Sequence, residues 1–296
     1  MNKNLSYKNS AENLAMILAL HAIFFLSAFL LVKNLELIFC LPLFVVLSLI
    51  HHKFLGEFIH EGAHYHLYRD KNINEFLSNY LVGIFFFISV GNYRKKHFKH
   101  HEYQLFFDPE DPETGPLKIR TKKEFWKNII LDLTGINGLL FLLNYTNQGA
   151  TSRSSQKNSK LKLEKAFFVI LFIQLLVFIS SIIYGYFIFY ITYYLTLGTL
   201  YHLQLRFRIV CQHIFLTKEK KIQYDVTTSR TIKGGLLEKL FFTSDITAYH
   251  DLHHQYPQYP FRKCREIILK KPFSKDKNVF SSTRSDIIFN YYKSLL

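Results

Sequence analysis

Between residues 166 and 200 the chain carries no charged side chain. A helix that is apolar on every face has to be buried, in the core of a large protein or in a bilayer. Gly185 splits this stretch into two runs, 166–184 and 186–200. Another pair precedes it. Residues 14–32 form an apolar run of about 19 residues, enough to cross a hydrocarbon core of roughly 30 Å at 1.5 Å per residue. Residues 35–50 follow Lys33 and Asn34, with Glu36 near the start and Pro42 inside, and this run is expected to continue helically past His51 and His52. A single run of this kind is compatible with a core helix; four runs in two tight pairs point to membrane hairpins. The expected fold class is therefore an all-α integral membrane protein. Its four transmembrane helices, at about 14–32, 35–52, 166–184 and 186–201, form two hairpins under a helical cytosolic cap, and residues 1–296 make a single domain. The first run exceeds the roughly 7–15 residues of a secretory signal core, and no small-x-small cleavage site follows it, so it reads as an anchor.

Charge supports that division. The chain has 37 Lys and Arg against 22 Asp and Glu, a net charge of +15, yet 49% of it is hydrophobic. A soluble nucleic-acid binder is not normally so apolar, and a disordered basic tail is excluded by hydrophobicity alone. Lys and Arg number 2 in residues 1–13, 1 at 33–34, 17 in 51–165, none in 166–200 and 17 in 201–296. Two hairpins put both termini and residues 51–165 and 202–296 on one side, which the positive-inside rule makes cytosolic. The charge thus reads as a topology marker, with no nucleic-acid partner implied. Two shorter apolar pieces, 76–90 and 125–143, lie between charged neighbours and read as re-entrant or interfacial. The polar segment 144–165, rich in Ser, Asn and Lys, reads as a flexible linker. Three cysteines, Cys40, Cys211 and Cys264, form no CxxC, which argues against a disulfide scaffold or a cysteine zinc site.

The 14 histidines are distributed unevenly. HEGAH spans 60–64, HFKHH 97–101 and HDLHH 250–254. On a helix, residues at i, i+3 and i+4 neighbour one another. Each box is expected to present its imidazoles to one point: His60 with His64, His97 with His100 and His101, His250 with His253 and His254. A random HxxHH at this histidine content is expected about 0.03 times per chain, so two copies are a specific signal. All three boxes fall on the side that the charge count makes cytosolic. Eight imidazoles exceed the needs of one zinc and suit two metals, but imidazole accepts Zn, Cu, Fe or Ni, so ligand type alone does not choose the metal.

HxxxH followed by two copies of HxxHH, set among two membrane hairpins, resembles the membrane fatty acid desaturases and related hydroxylases. RKKHFKHHEYQLFFDPEDPE (94–113) looks like the second box of that family with its Asp-Pro turn. SRTIKGGLLEKLFF (229–242) and AYHDLHHQYPQYPF (248–261) look like the approach to the third box and the Tyr-Pro segment after it. The resemblance implies a non-haem centre of two iron ions held by His60, His64, His97, His100, His101, His250, His253 and His254. It also implies a ninth ligand near the end of the fourth span, which falls on His213. Relatives often carry Glu before that histidine, where this chain has Gln212, and acyl-lipid relatives commonly carry Asn where this chain has Ala248. Glu61 and Asp251, inside their boxes, are candidates to orient imidazoles from the second shell. Gln212 and His202 are further second-shell candidates. The remaining histidines, His21, His51, His52 and His66, read as ordinary hydrogen-bonded residues.

Breaking an unactivated C–H bond is beyond any side chain, so the metal carries the chemistry and the protein positions it, with no catalytic residue beyond the ligands. The implied activity is O₂-dependent desaturation of a fatty acyl chain. No haem or flavin domain and no GxGxxG after a strand is visible, so a separate electron carrier, a ferredoxin or a cytochrome b5-like protein, is implied. Hydroxylation, or desaturation of a substrate other than a fatty acid, uses the same ligands. HEGAH also fits HExxH, a zinc-protease motif with Glu61 as general base, but that reading leaves both HxxHH clusters unexplained. A non-catalytic metal carrier is a further alternative.

Overall fold

The computed structural model describes residues 3–102, 111–114, 117–146, 164–216, 222–223, 229–232, 234–244, 247–270, 279–280 and 284–296. Most of the linker expected at 144–165, and positions 103–110 of the second-box segment, lie outside the described residues. The chain is overwhelmingly helical, as an all-α membrane protein requires. It divides into two compact units, Met1–Arg94 with Gly135–His202, and Lys95–Thr134 with Leu203–Leu296.

In the first unit, α1 (Lys3–Asn34) and α2 (Leu37–Ala63) form a hairpin turned at Leu35 and Glu36. As the sequence suggested, α2 runs without a break past His51 and His52, and it carries the first histidine box at its end. α3 (Lys71–Leu77) starts on Asp70, whose carboxylate accepts from the N–H groups of Asn72 (2.9 Å) and Ile73 (3.0 Å). A π-helical turn at Ser78–Val82 and a 3₁₀ turn at Gly83–Phe86 follow, and the helix breaks at Phe87, which sits at φ 54°. α4 (Val90–Glu102) then begins. Residues 76–90 therefore form no straight span. After α5 (Lys122–Leu133) and α6 (Ile136–Thr146) come α7 (Lys165–Ile183) and α8 (Phe187–Thr196). Gly185 adopts φ 76° between the last two, the left-handed turn that glycine enters without steric cost. α8 passes through a π turn at Leu197–Tyr201 into α9 (His202–His213).

Three helices among the described residues are long and apolar enough to cross a membrane: Ser10–Asn34, Leu37–Ala63 and Lys165–Ile183. The number rises to five if each of two broken pairs counts as one span. Large apolar side chains such as Ile23 (63%), Phe39 (63%) and Phe172 (61%) face outward. Lipid rather than water suits such faces. Inside this unit a polar chain links three helices. His21 Nε2 lies 2.7 Å from the Leu81 carbonyl, His21 Nδ1 3.1 Å from His51 Nε2, and His51 Nδ1 2.8 Å from the Tyr193 hydroxyl. Around it pack Phe24, Phe44 and Tyr193.

The second unit is built on α5, α9, α10 (Leu236–Phe241), α11 (His250–Gln255), α12 (Phe261–Lys270) and α13 (Arg284–Ser294). A capping box starts α5: Thr121 Oγ1 accepts from the Glu124 N–H while the Glu124 carboxylate accepts from the Thr121 N–H. The core joins Leu117, Ile119, Phe125, Val210, Ile214, Tyr291 and Leu295. Two short ladders supplement the helices. β1 (Phe215–Leu216) pairs antiparallel with β2 (Ile222–Gln223), and β3 (Thr231–Ile232) pairs parallel with β4 (Val279–Phe280). A buried bidentate pair, Arg206 to Asp132, joins α9 to α5, with Nη2 to Oδ1 at 3.0 Å.

Candidate metal centre

Histidines of the second and third boxes meet in the second unit, but each box serves two clusters rather than one. His100, His213, His250 and His254 form the first, with one ligand atom from each lying within 4.8 Å of all the others. His213 Nε2 is 3.0 Å from His250 Nε2, and His250 Nε2 is 3.1 Å from His254 Nε2. The His100 ring lies 5.2 Å from that of His213 and 5.0 Å from that of His254. His97, His101 and His253 form the second cluster, with Nε2 separations of 3.1 Å between His97 and His101 and 3.0 Å between His101 and His253.

Helical geometry accounts for this division. At 3.6 residues per turn each step rotates about 100°, so i and i+4 diverge by about 40° while the adjacent i+3 and i+4 diverge by about 100°. On α4, His97 and His101 thus pair and His100 turns away. On α11, His250 and His254 pair and His253 turns away. The expectation that each box serves a single point is corrected on that ground. In the first unit, His60 on α2 and His64 at its C-cap place their rings 5.2 Å apart.

The donor set fits a cation. Two nitrogens that each sit about 2.0–2.1 Å from one ion end up roughly 3 Å apart. Protons satisfy such a ring of mutually facing Nε2 atoms poorly, because each shared proton serves one pair, whereas one ion serves them all. Burial and the adjacent imidazoles hold His213, His250 and His254 well below the usual histidine pKa, in the neutral form a metal requires. Burial likewise drives His101 down to about 2, with His97 and His100 adding to it.

His100 goes the other way. Burial disfavours its charged form, but the Glu113 and Asp111 carboxylates outweigh that and raise its pKa. Its Nδ1 lies 2.9 Å from Asp111 Oδ2, and His97 Nδ1 lies 2.8 Å from Glu113 Oε1. Occupying Nδ1 leaves Nε2 as the ligand atom and fixes the ring, which is how second-shell carboxylates serve metal-binding histidines. Asp111 is itself held. It accepts from the N–H groups of Glu113 (2.9 Å) and Thr114 (3.3 Å) and from the Thr114 hydroxyl. Although Asp111 and Glu113 lie within the DPEDPE segment already noted in the sequence, their pairing with imidazoles 11 and 16 positions earlier depends on a turn that spacing does not show.

The second-shell candidates from sequence make the following contacts. Gln212 is buried, and its Nε2 donates to the Thr247 carbonyl at 3.0 Å, while its own carbonyl accepts from the Arg230 N–H at 2.7 Å. It stitches α9 to the entry of the third box. The Ala248 carbonyl accepts from the Ile232 N–H at 3.2 Å, a second stitch. Asp251 accepts from Gln255 Nε2 at 3.1 Å. Glu61 lies between His60 Nδ1 at 3.8 Å and His66 Nδ1 at 3.7 Å. His202 packs edge-on against Phe141, ring centres 5.4 Å apart. Separately, the first unit holds a cavity of about 830 Å³ whose walls include Phe24, Phe29, Phe44, Phe85, Tyr190 and Tyr193. Its size falls in the range of small-molecule pockets, and its lining suits an aliphatic chain.

The family model for fatty acid desaturases matches residues 35–275. The chain belongs to the fatty acid desaturase family, and with it to the membrane oxidoreductases of the desaturase and hydroxylase type, a family that uses iron. No curated protein and no solved structure matches it.

Proposed function

We propose that the chain is an O₂-dependent fatty acyl desaturase working through two non-haem iron ions. One ion is held by His100, His213, His250 and His254. The other is held by His97, His101 and His253, with His60 and His64 as further ligands. The observation that carries this reading is the cluster of four imidazoles, His100, His213, His250 and His254, in a chain of this family. When bound, the irons supply the oxidising power, with O₂, that breaking an unactivated C–H bond needs. Asp111 and Glu113 fix the tautomers of His100 and His97, and burial keeps water from competing for the ligand positions. Lipid is the substrate class that the family and the apolar cavity favour. Four spans in two hairpins, with the termini and the histidines on the cytosolic side, account for a topology in which one side carries 36 of 37 positive charges. That basic side suits an acidic electron carrier of the ferredoxin or cytochrome b5 kind. Hydroxylation, or desaturation of a substrate other than a fatty acid, is the alternative outcome, and Gln212 and Ala248 are the departures from common family residues that bear on it.

Metal content of the purified protein and the lipid profile of an expressing host test this together. About two irons per chain, with new unsaturated acyl chains that His253→Ala abolishes, is the expected result. One zinc per chain with peptidase activity would overturn it, and so would full activity in His100→Ala.

A further inference from the structure

α5 lies between a fixed face and an open one. On its fixed face, Phe125 enters the core with Val210 and Tyr291, and Asp132 pairs with Arg206. On its open face, Trp126 (54%), Ile130 (58%) and Leu133 (48%) are exposed, with the Trp126 indole N–H donating to the Tyr292 hydroxyl at 3.2 Å. Their spacing of i, i+4 and i+7 confines them to an arc of about 60° at 100° per residue. Exposed lysines border that arc, Lys123 and Lys127 on one side and Lys122 on the other. Glu124, the one exposed acid on the helix, is engaged by the capping box at its start. The chain then passes directly to α6, where Ile136 (48%), Leu139 (58%), Leu140 (51%) and Leu143 (45%) are also exposed.

An exposed apolar stripe with a tryptophan and flanking lysines suits one environment better than water or the rim of a protein interface. Apolar side chains enter the boundary of the acyl region, the indole sits at headgroup level, and lysine stems reach outward to anionic headgroups. We propose that α5 is an interfacial helix on the leaflet that the proposed topology makes cytosolic, with Ile130 and Leu133 among the acyl chains, Trp126 at the boundary between acyl chains and headgroups, and Lys122, Lys123 and Lys127 against anionic lipid. Of the two readings of 125–143, re-entrant or interfacial, the proposal takes the interfacial one for its α5 part. Because α5 is tied to α9 through Asp132 and Arg206, its seat on the membrane also fixes the depth of the helix that carries His213.

Trp126 is the sole tryptophan in the chain, so its fluorescence reports α5 alone. The full-length protein is reconstituted into phosphatidylcholine vesicles containing equal fractions of either brominated phosphatidylcholine or brominated phosphatidylglycerol, with bromines on the upper acyl chain. Both lipids are expected to quench Trp126, the anionic one at least about twofold more, since each lysine near an anionic surface contributes about a fivefold preference. In the protein with Lys122→Gln, Lys123→Gln and Lys127→Gln, quenching by the neutral lipid persists and the anionic advantage disappears. Absence of quenching by either lipid in the wild type overturns the proposal. So does equal quenching by both in the wild type, which removes the charge complementarity. Protection of Trp126 from a water-soluble quencher by an added acidic carrier protein, with no quenching by lipid, overturns it in favour of protein docking.

Discussion

Asp111 has no exposed surface and receives four hydrogen bonds: two from backbone N–H groups, one from the Thr114 hydroxyl and one from His100 Nδ1. Asparagine at this position keeps the shape and loses the charge, and with it the charge-assisted hold on the imidazole. Asp111→Asn is expected to weaken iron retention by about 10–100-fold, the range typical of lost outer-shell partners, measured by competition with a soluble chelator. Retention equal to the wild type would show that the carboxylate does not orient His100. At this scale the sequence is strong on ligands and weak on what holds them. The boxes stand out because HxxHH is rare, and their spacing contains even the split between His100 and His101 once the 100° rotation is followed through. The Asp111 and Glu113 contacts are set by the turn at 111–114, and Gln212 and Ala248 act through backbone stitches that no spacing rule reveals.

The first box depends on a close approach between elements. A Cβ on Gly62 would meet Ser78 Oγ at 2.2 Å and Ser78 Cβ at 2.9 Å, so α2 and the π turn at Ser78–Val82 touch only because Gly62 has no side chain. Asn74 closes the same corner, donating to the Gly62 carbonyl at 2.9 Å and accepting from the Leu67 N–H at 3.1 Å. In an open helix, glycine to alanine gains about 0.5–1 kcal/mol. Here the sign is expected to reverse: Gly62→Ala should cost about 1–3 kcal/mol through overpacking. Thermal unfolding reads this as a lowered midpoint, with Gly62→Ala plus Ser78→Gly restoring most of the loss. A midpoint equal to or above that of the wild type in the single variant would refute the contact. Long apolar helices were legible from hydropathy because lipid selects composition directly. The form of the breaks at Phe87 and the π turns was not, since it combines packing against α2 with single glycines, Gly83 and Gly198, whose presence alone does not specify a break.

At the scale of the molecule, the family match ends at residue 275, yet the chain beyond it is built into the second unit. Arg284 forms a buried pair with Glu238 (2.5 Å) and donates to the Phe207 carbonyl at 3.2 Å on α9. Tyr291 and Leu295 fill the same core as Val210 and Ile214, next to His213. Arg284→Ala is expected to cost about 3 kcal/mol, because it leaves the largely buried Glu238 charge with no cation and only the Thr243 hydroxyl. Calorimetry of the full-length protein reads the loss, and Arg284→Lys should recover part of it. An unchanged transition in the alanine variant would show that this segment is dispensable. No motif marked Arg284, Tyr291 and Leu295 as part of the core, because their contribution comes from long-range packing against α9 and α5.

The chain of His21, His51 and Tyr193 also constrains how the protein is made. His51 and the hydroxyl it bonds are 142 positions apart, so α1 and α2 leave the ribosome well before their partner exists. At translation speeds of about 5–20 residues per second the delay is about 7–28 seconds. An unmet polar group in hydrocarbon costs several kcal/mol over that interval. Within the first hairpin His51 has His21 on one nitrogen, and the other nitrogen waits for α8 to bring the Tyr193 hydroxyl.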